Sequence, residues 1–311
     1  MVGENLTADV VTSIGCAIGT YVAQQGEQTL IVGGDARSST PELMAALIEG
    51  LNVSGRDVIS IGKVPTPALY FAVKNSGTMN GVMVTGSHNE AKYNGLKIVI
   101  GGKTLIEEDL QEIRRILDEG SFSSGRGSVM ELDIMTDYTN VIVNDIVIKQ
   151  PLKVVVDCAN AIAGETLPQL FSDLGCDVIP LHCDVDGSFP NHPPDPTVKE
   201  NLADLINTVI NEGADLGLAF DGDADRVMAV THDGTIIWPD QLLMLFAKDV
   251  VSRNPGSGVV YDIKCTRHLN TVISNHGGRP VMSRSGQSCL LYTSDAADDM
   301  QCVDLGGRRI I

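Results

Sequence analysis

Three aspartates alternate along Phe220-Asp221-Gly222-Asp223-Ala224-Asp225-Arg226. Like charges this close repel one another, and a tight turn cannot hydrate all of them cheaply. A divalent cation resolves the repulsion, and an all-oxygen donor set suits magnesium, calcium or manganese rather than zinc. No Glu closes a twelve-residue loop begun at Asp221, so an EF-hand is a poor fit. The plain alternative is an acidic surface turn. A second group is Val84-Thr85-Gly86-Ser87-His88-Asn89. Gly86 lets the chain turn sharply after the apolar run that ends at Val84, which exposes Ser87 at a strand's carboxyl end. Open α/β sheets keep their sites there. Such a serine acts as nucleophile or phosphate carrier when a base and a cation are near, and otherwise as a capping serine. His88 is adjacent, and Lys97 lies on the following strand. The third group, Gly187-Ser188-Phe189-Pro190-Asn191-His192-Pro193-Pro194-Asp195-Pro196, is fixed by its prolines as an extended, irregular loop. His192 is read as a structural hydrogen-bonding residue rather than a ligand.

The elements that must position these groups alternate along the chain. Short apolar strands are predicted at Thr29–Val32, Asp57–Ile61, Gly81–Thr85 and Gly95–Ile100. Helical spacing is predicted over Pro41–Leu51, Val64–Asn75 and Ile106–Asp118. The rhythm starts again with the buried strand Leu152–Asp157 and continues through the strand Leu216–Phe220 and the helix Gln241–Val250. It predicts an α/β protein of consecutive α/β domains with mixed, mostly parallel sheets. The expected domains are 1–150, carrying the Ser87 loop, and 151–254, carrying the aspartate turn. A third begins at 255 and is cut short near 288, leaving 289–311 as a tail.

Composition narrows the function. The chain has 311 residues and a formal net charge of -18, which argues against non-specific nucleic-acid binding. It leaves room for a locally positive site that takes a small anion. The 43% hydrophobic content includes no run of membrane-spanning length, and no signal sequence opens the chain. Seven scattered cysteines without a C-x-x-C pair read as reduced thiols in a reducing compartment. The expectation is a cytoplasmic monomer with no membrane or nucleic-acid partner.

Together the T-G-S-H-N loop, the D-G-D-x-D-R turn and the F-P-x-H-x-P-D-P stretch resemble the α-D-phosphohexomutase superfamily. Within it they resemble the bacterial phosphomannomutase/phosphoglucomutase branch. The resemblance runs from about Glu4 to Ser288 and is close across Leu216–Gly256. It implies a phosphoglucomutase-like fold and an enzyme that interconverts hexose 1-phosphate and 6-phosphate, with mannose, glucose or both as the sugar. It implies a phosphoserine at Ser87 and a hexose 1,6-bisphosphate intermediate. Mg2+ would be held by Ser87, Asp221, Asp223 and Asp225. Arg226 would add fixed positive charge, Lys97 would be the general acid/base and His88 a further positive or hydrogen-bonding group. Lys264, Gly286 and Gln287 would meet the substrate. Arg37 would support the Ser87 loop or form a plain surface ion pair.

Three departures from the family pattern are visible. The aromatic-rich opening that ends in Asp-Ile-Arg-Gly is absent before Met1. Gln287 stands where the family usually has His. The sugar-binding loop and the fourth domain do not follow. Instead, Cys289–Ile311 resembles the translation of a transposon-library sequencing adapter, so read-through on an interrupted gene is expected. A catalytically incompetent magnesium-binding fragment is therefore an alternative to an active mutase. A magnesium phosphatase is a third reading, and the paired serine and aspartate loops argue against it.

Overall fold

The computed structural model describes residues 1–283 and the backbone of Arg309–Ile310. The chain divides into two compact units: Met1–Gly234 with Arg308–Ile311, and Thr235–Gly307. The expected substrate residues Gly286 and Gln287 lie outside the described residues. So does the tail from Cys289 onward, apart from Arg309–Ile310.

In chain order the first unit opens with α1 (Ala8–Gln24), β1 (Thr29–Gly34), α2 (Thr40–Val53), β2 (Asp57–Lys63) and α3 (Thr66–Asn75). Next come β3 (Gly81–Val84), β4 (Leu96–Ile100), β5 (Lys103–Thr104), α4 (Glu107–Glu119), β6 (Val129–Glu131), α5 (Met135–Asp145) and β7 (Ile146–Val147). The first sheet has the order β5-β4-β3-β1-β2-β6. β1 runs parallel to β2 and β3, and β2 parallel to β6, whereas β4 is antiparallel to both neighbours. Successive strand side chains point to opposite faces, so β1 serves two cores. Leu30 and Val32 pack with Ile18, Leu47, Leu51 and Ile116, while Ile31 packs with Leu69, Ala72 and Val73 of α3. A strand covered on both faces must read as a continuous apolar run, as Leu30-Ile31-Val32 does. Each such side chain stabilises the fold by roughly 1.5–3 kcal/mol when fully buried.

Helix α1 has no counterpart among the elements predicted above. Its signal is present in the sequence: the Thr7 hydroxyl accepts the Val10 N–H, and Val11, Ile18 and Val22 recur on one buried face. It packs closely on α2, where a Cβ on Gly50 would lie 2.1 Å from the Thr12 carbonyl oxygen.

The second sheet of this unit is built from β8 (Lys153–Asp157), β9 (Asp177–Leu181), β10 (Leu216–Phe220) and β11 (Val227–Thr231), with α6 (Leu167–Asp173) and α7 (Ala203–Glu212) packed on it. β8 runs parallel to β9 and β10, and β11 is antiparallel to β10. The sheets are mixed and mostly parallel, as the alternating pattern predicts. The backbone pair Arg309–Ile310 runs parallel to β7.

The second unit holds β12 (Ile236–Ile237), α8 (Pro239–Arg253), β13 (Gly258–Asp262), α9 (His268–Asn275) and β14 (Arg279–Ser283), with β13 parallel to β14. This corrects the expected boundary at 254. Helix α8 does not belong with the second sheet: its Ala247, Leu243 and Met244 share a core with Tyr261, Leu269 and Ile273. The stretch Asn254-Pro255-Gly256-Ser257 reads as a linker by composition, but it is the turn that joins α8 to β13. Among the described residues, no helix is long and apolar enough to cross a membrane.

Candidate active site

The aspartate turn is the hairpin loop between β10 and β11, closed by the pair Phe220↔Val227. Asp221 organises it from within. Its Oδ1 accepts the backbone N–H groups of Asp225 and Arg226, both at 3.1 Å, and its carbonyl accepts from the Ala224 N–H at 3.0 Å. Ala224 takes a left-handed φ of 57° to complete the turn. Asp221 and Asp223 are fully buried in consequence.

Ser87 follows β3 at that strand's carboxyl end, also with a left-handed backbone, φ 50°. The conformation is held from below by Arg37, which leaves the carboxyl end of β1. Its Nη2 donates to the carbonyls of Ser87 at 2.6 Å and Asn89 at 2.7 Å, and its Nη1 to those of Glu90 at 2.8 Å and Tyr93 at 3.1 Å. Its Nε pairs with Asp35 Oδ2 at 3.1 Å, and neither side chain is exposed. Asp35 in turn accepts from Thr40 and Thr85, each at 2.7 Å. The surface ion pair considered for Arg37 is excluded. The guanidinium also lies 5.0 Å from the Phe189 ring centroid, which ties the proline-rich loop to the same hub. Burial pushes the Asp35 carboxyl up and the Arg37 guanidinium down from their ordinary values. Desolvation therefore outweighs the attraction between them, as is common for buried pairs.

The serine loop and the aspartate turn meet directly. Ser87 Oγ donates to Asp221 Oδ2 at 3.0 Å. Arg226 Nη2 contacts Ser87 Oγ, pairs with Asp221 Oδ2 at 2.5 Å and reaches His88 Nδ1 at 2.7 Å. The approach is close enough that a Cβ on Gly222 would sit 2.3 Å from the Ser87 carbonyl oxygen, so only glycine fits there. Lys97, on β4, extends Nζ to Asp223 Oδ2 at 2.6 Å and Asp225 Oδ2 at 2.5 Å.

Thr66, at the start of α3, also reaches this point. Its hydroxyl donates to Asp223 Oδ2 at 2.5 Å, and its N–H donates to the Asp223 carbonyl at 2.9 Å. The sequence reading did not pick out Thr66 or Asp35. Asp35 carried a usable signal, a carboxylate directly after an apolar strand in Gly34-Asp35-Ala36-Arg37. Thr66 carried none, because it partners a residue 157 positions away.

These contacts separate Asp221 from Asp223 electrostatically. Burial, with Asp223 nearby, pushes Asp221 up to about 7. Burial also acts to raise Asp223, but Lys97 and the Thr66 hydroxyl outweigh it and hold that carboxyl below its ordinary value. Lys97 is itself raised, its desolvation exceeded by the attraction of Asp223 and Asp225. Burial and the Arg226 charge lower His88. Its ring is therefore neutral near pH 7, with Nδ1 accepting from Arg226 and the proton on Nε2.

One carboxylate oxygen from each of Asp221, Asp223 and Asp225 lies within 4.8 Å of the others. Asp223 Oδ1 is buried without a hydrogen-bond partner. An orphaned anionic oxygen inside a three-carboxylate cluster fits a hard divalent cation.

Two further described residues are singled out by the sequence, Lys264 and His192. Lys264 follows β13 in the second unit, with its side chain 76% exposed and 3.6 Å from Asp262. His192 has the structural role expected of it. Its Nε2 donates to Asp157 Oδ2 at 3.1 Å and its Nδ1 to the Pro193 carbonyl at 2.9 Å. Two acceptors demand the doubly protonated ring. Burial opposes this, but the Asp157 hydrogen bond and charge prevail and raise His192 above the ordinary 6.5. Such a group stabilises the fold fully below its unfolded pKa, and the contribution is lost as pH rises through the folded value. The thermal midpoint of the first unit is expected to fall as pH rises through that window above 6.5. His192→Gln should flatten the fall. An equally steep fall in the variant would assign the effect to a group other than His192.

Comparison with known proteins accords with this geometry. The family described as phosphoglucomutase/phosphomannomutase, alpha/beta/alpha domain I, matches residues 1–124, domain II matches 136–234 and domain III matches 238–307. The phosphomannomutase/phosphoglucomutase of Pseudomonas aeruginosa is 54% identical over 290 residues, which cover 93% of this chain and 63% of that protein. A phosphomannomutase of Salmonella montevideo is 34% identical over 310 residues, covering 94% of this chain and 67% of that protein. The crystal structure of a phosphoglucomutase/phosphomannomutase family protein from Burkholderia thailandensis superposes with a TM-score of 0.91 at 44% identity, covering 94% of this chain and 66% of that one. The chain thus spans about 63% of the length of the first of these curated relatives. With three family domains matched in order and a 34% identical relative covered over 67% of its length, the chain belongs to the phosphoglucomutase/phosphomannomutase family, in its bacterial phosphomannomutase/phosphoglucomutase branch.

Proposed function

We propose that the chain carries the phosphoserine and metal-binding portion of an enzyme that interconverts hexose 1-phosphate and hexose 6-phosphate, with mannose, glucose or both as the sugar. The observation that most supports this is the meeting of Ser87 Oγ with Asp221 at 3.0 Å, across 134 positions of sequence. A nucleophile set against a carboxylate cluster and a guanidinium suits phosphoryl transfer, which depends on positioning and charge rather than on elaborate covalent chemistry.

In this reading Ser87 holds a phosphoryl group between turnovers. The bond from Oγ to phosphorus breaks as the free hydroxyl of the sugar monophosphate bonds to that phosphorus, and the hydroxyl's proton passes by way of Lys97 to the departing Oγ, giving the 1,6-bisphosphate and a free Ser87 hydroxyl. The bisphosphate reorients and returns its other phosphoryl group to Ser87. Asp221, Asp223, Asp225 and Ser87 would hold Mg2+, which when bound offsets negative charge on the phosphoryl oxygens. Arg226 fixes positive charge at Ser87 Oγ. Lys97, protonated between two carboxylates, is the proposed general acid/base: it gives its proton to the departing Ser87 Oγ and takes up that of the sugar hydroxyl. His88 orients Arg226 through Nδ1 and offers its Nε2 proton as a hydrogen bond. Lys264, Gly286 and Gln287 are proposed to meet the sugar phosphate.

The chain incubated with magnesium and glucose 1,6-bisphosphate is expected to gain one phosphoryl group on Ser87, read by intact mass and peptide mapping. Phosphate on another residue, or none at saturating magnesium, overturns the proposal. One second reading is a magnesium-binding fragment that is catalytically incompetent. A coupled assay for conversion of glucose 1-phosphate to glucose 6-phosphate separates the two.

Asp223→Asn is expected to weaken magnesium binding by at least the roughly 10–100-fold that outer-sphere replacements cost at metal sites. Isothermal titration measures it directly. Unchanged affinity would remove Asp223 from the ligand set.

A further inference from the structure

β8 and β9 run parallel and in register from Lys153↔Asp177 to Asp157↔Leu181. Each strand is followed closely by a cysteine. Cys158 comes directly after β8, and its N–H donates to the Leu181 carbonyl at 3.1 Å. Cys183 comes two residues after β9. The register therefore brings residues 25 positions apart side by side, and their sulfurs stand 3.4 Å from one another. The two sites differ in access: Cys158 is buried, whereas Cys183 is partly exposed. That asymmetry suits one sulfur to meet a small reagent from solvent and the other to resolve the product.

We propose that Cys158 and Cys183 form an oxidisable dithiol, which hydrogen peroxide converts to a disulfide through a sulfenic acid on Cys183. In the first step the Cys183 thiolate attacks one peroxide oxygen. An S–O bond forms, the O–O bond breaks, and the departing hydroxide leaves as water with the proton from Cys183. In the second step the Cys158 sulfur attacks the Cys183 sulfur. The S–S bond forms, the S–O bond breaks, and hydroxide leaves as a second water with the Cys158 proton. Both sulfurs are oxidised by one electron each, and the peroxide is reduced to water. A disulfide needs the sulfurs at about 2.05 Å, so they must approach by roughly 1.4 Å from their present separation.

The surroundings support the division of roles. Hydrogen bonding with Cys158 lowers the Cys183 thiol, while the same contact and burial raise Cys158 well above the ordinary range. Burial raises Cys16, Cys176 and Cys265, which makes them poorer nucleophiles at neutral pH. Among the described cysteines, Cys183 is the one favoured as a thiolate. The pair makes no hydrogen bond to Ser87 or the aspartate turn, although Phe220 and Ala224 pack against the same apolar cluster as Cys158.

The test uses the intact chain and hydrogen peroxide. Equimolar peroxide is expected to remove two free thiols, and a non-reducing peptide map should join the Cys158 and Cys183 peptides. Dithiothreitol should restore both. Cys158→Ser should leave a sulfenic acid on Cys183 that dimedone traps, and Cys183→Ser should abolish the cross-link. The map of the unsubstituted chain decides the question even if a variant fails to fold. Oxidation of Cys16, Cys176 or Cys265 as fast as Cys183, or conversion of Cys183 to a sulfinic acid with Cys158 still free, overturns the proposal.

Discussion

Ser87→Ala is expected to abolish hexose-phosphate interconversion in a form extended to the length of its relatives, a loss on the order of 10⁴-fold or more. Among the described residues, neither neighbouring threonine hydroxyl can take over. Thr85 Oγ1 is committed to Asp35 and Thr66 Oγ1 to Asp223. The fold should survive, because alanine and serine meet the same backbone cost at φ 50°. Removing Oγ also leaves Arg226 paired with Asp221 and Asp225. Phosphoryl incorporation, turnover and thermal midpoint should therefore separate, with the first two lost and the third close to the parent. Full turnover in the alanine variant would exclude Ser87 as the carrier.

Arg37→Met should carry the largest stability cost. The substitution strands the buried Asp35 carboxylate and leaves the carbonyls of Ser87, Asn89, Glu90 and Tyr93 without this donor. Removing one partner of a buried pair costs about 3–5 kcal/mol, whereas an exposed pair is worth about 0–1 kcal/mol. Hydrogen exchange of the β1 and β3 amides reads the loss locally, without requiring a single unfolding transition. Adding Asp35→Asn should recover part of it, because the uncompensated charge is then gone. A loss below about 1 kcal/mol would mean that Arg37 behaves as a surface residue.

By itself the sequence determined the classes of element and the two loops proposed to carry the chemistry. The apolar runs Leu30-Ile31-Val32 and Gly81–Val84 are legible because a strand covered on both faces has no polar position. The Ser87 and Asp221 loops are legible because each follows such a strand directly and spends its glycines and charges within a few residues. Helix α1 was equally local and was readable from Thr7 and its apolar spacing. The linker expected at Asn254–Gly258 failed for a physical reason, since proline and glycine mark a turn without saying which core lies on either side. Tertiary structure alone decided what distinguishes like from like. Spacing makes Asp221, Asp223 and Asp225 equivalent. In the fold, Lys97 and Thr66 neutralise Asp223 while Asp221 is desolvated beside it. Composition does not decide whether Arg37 lies outside or in, but burial under the Ser87 loop makes it the donor for four carbonyls. Such assignments depend on partners more than fifty or a hundred residues away, which chain folding brings within about 3 Å and no local pattern records.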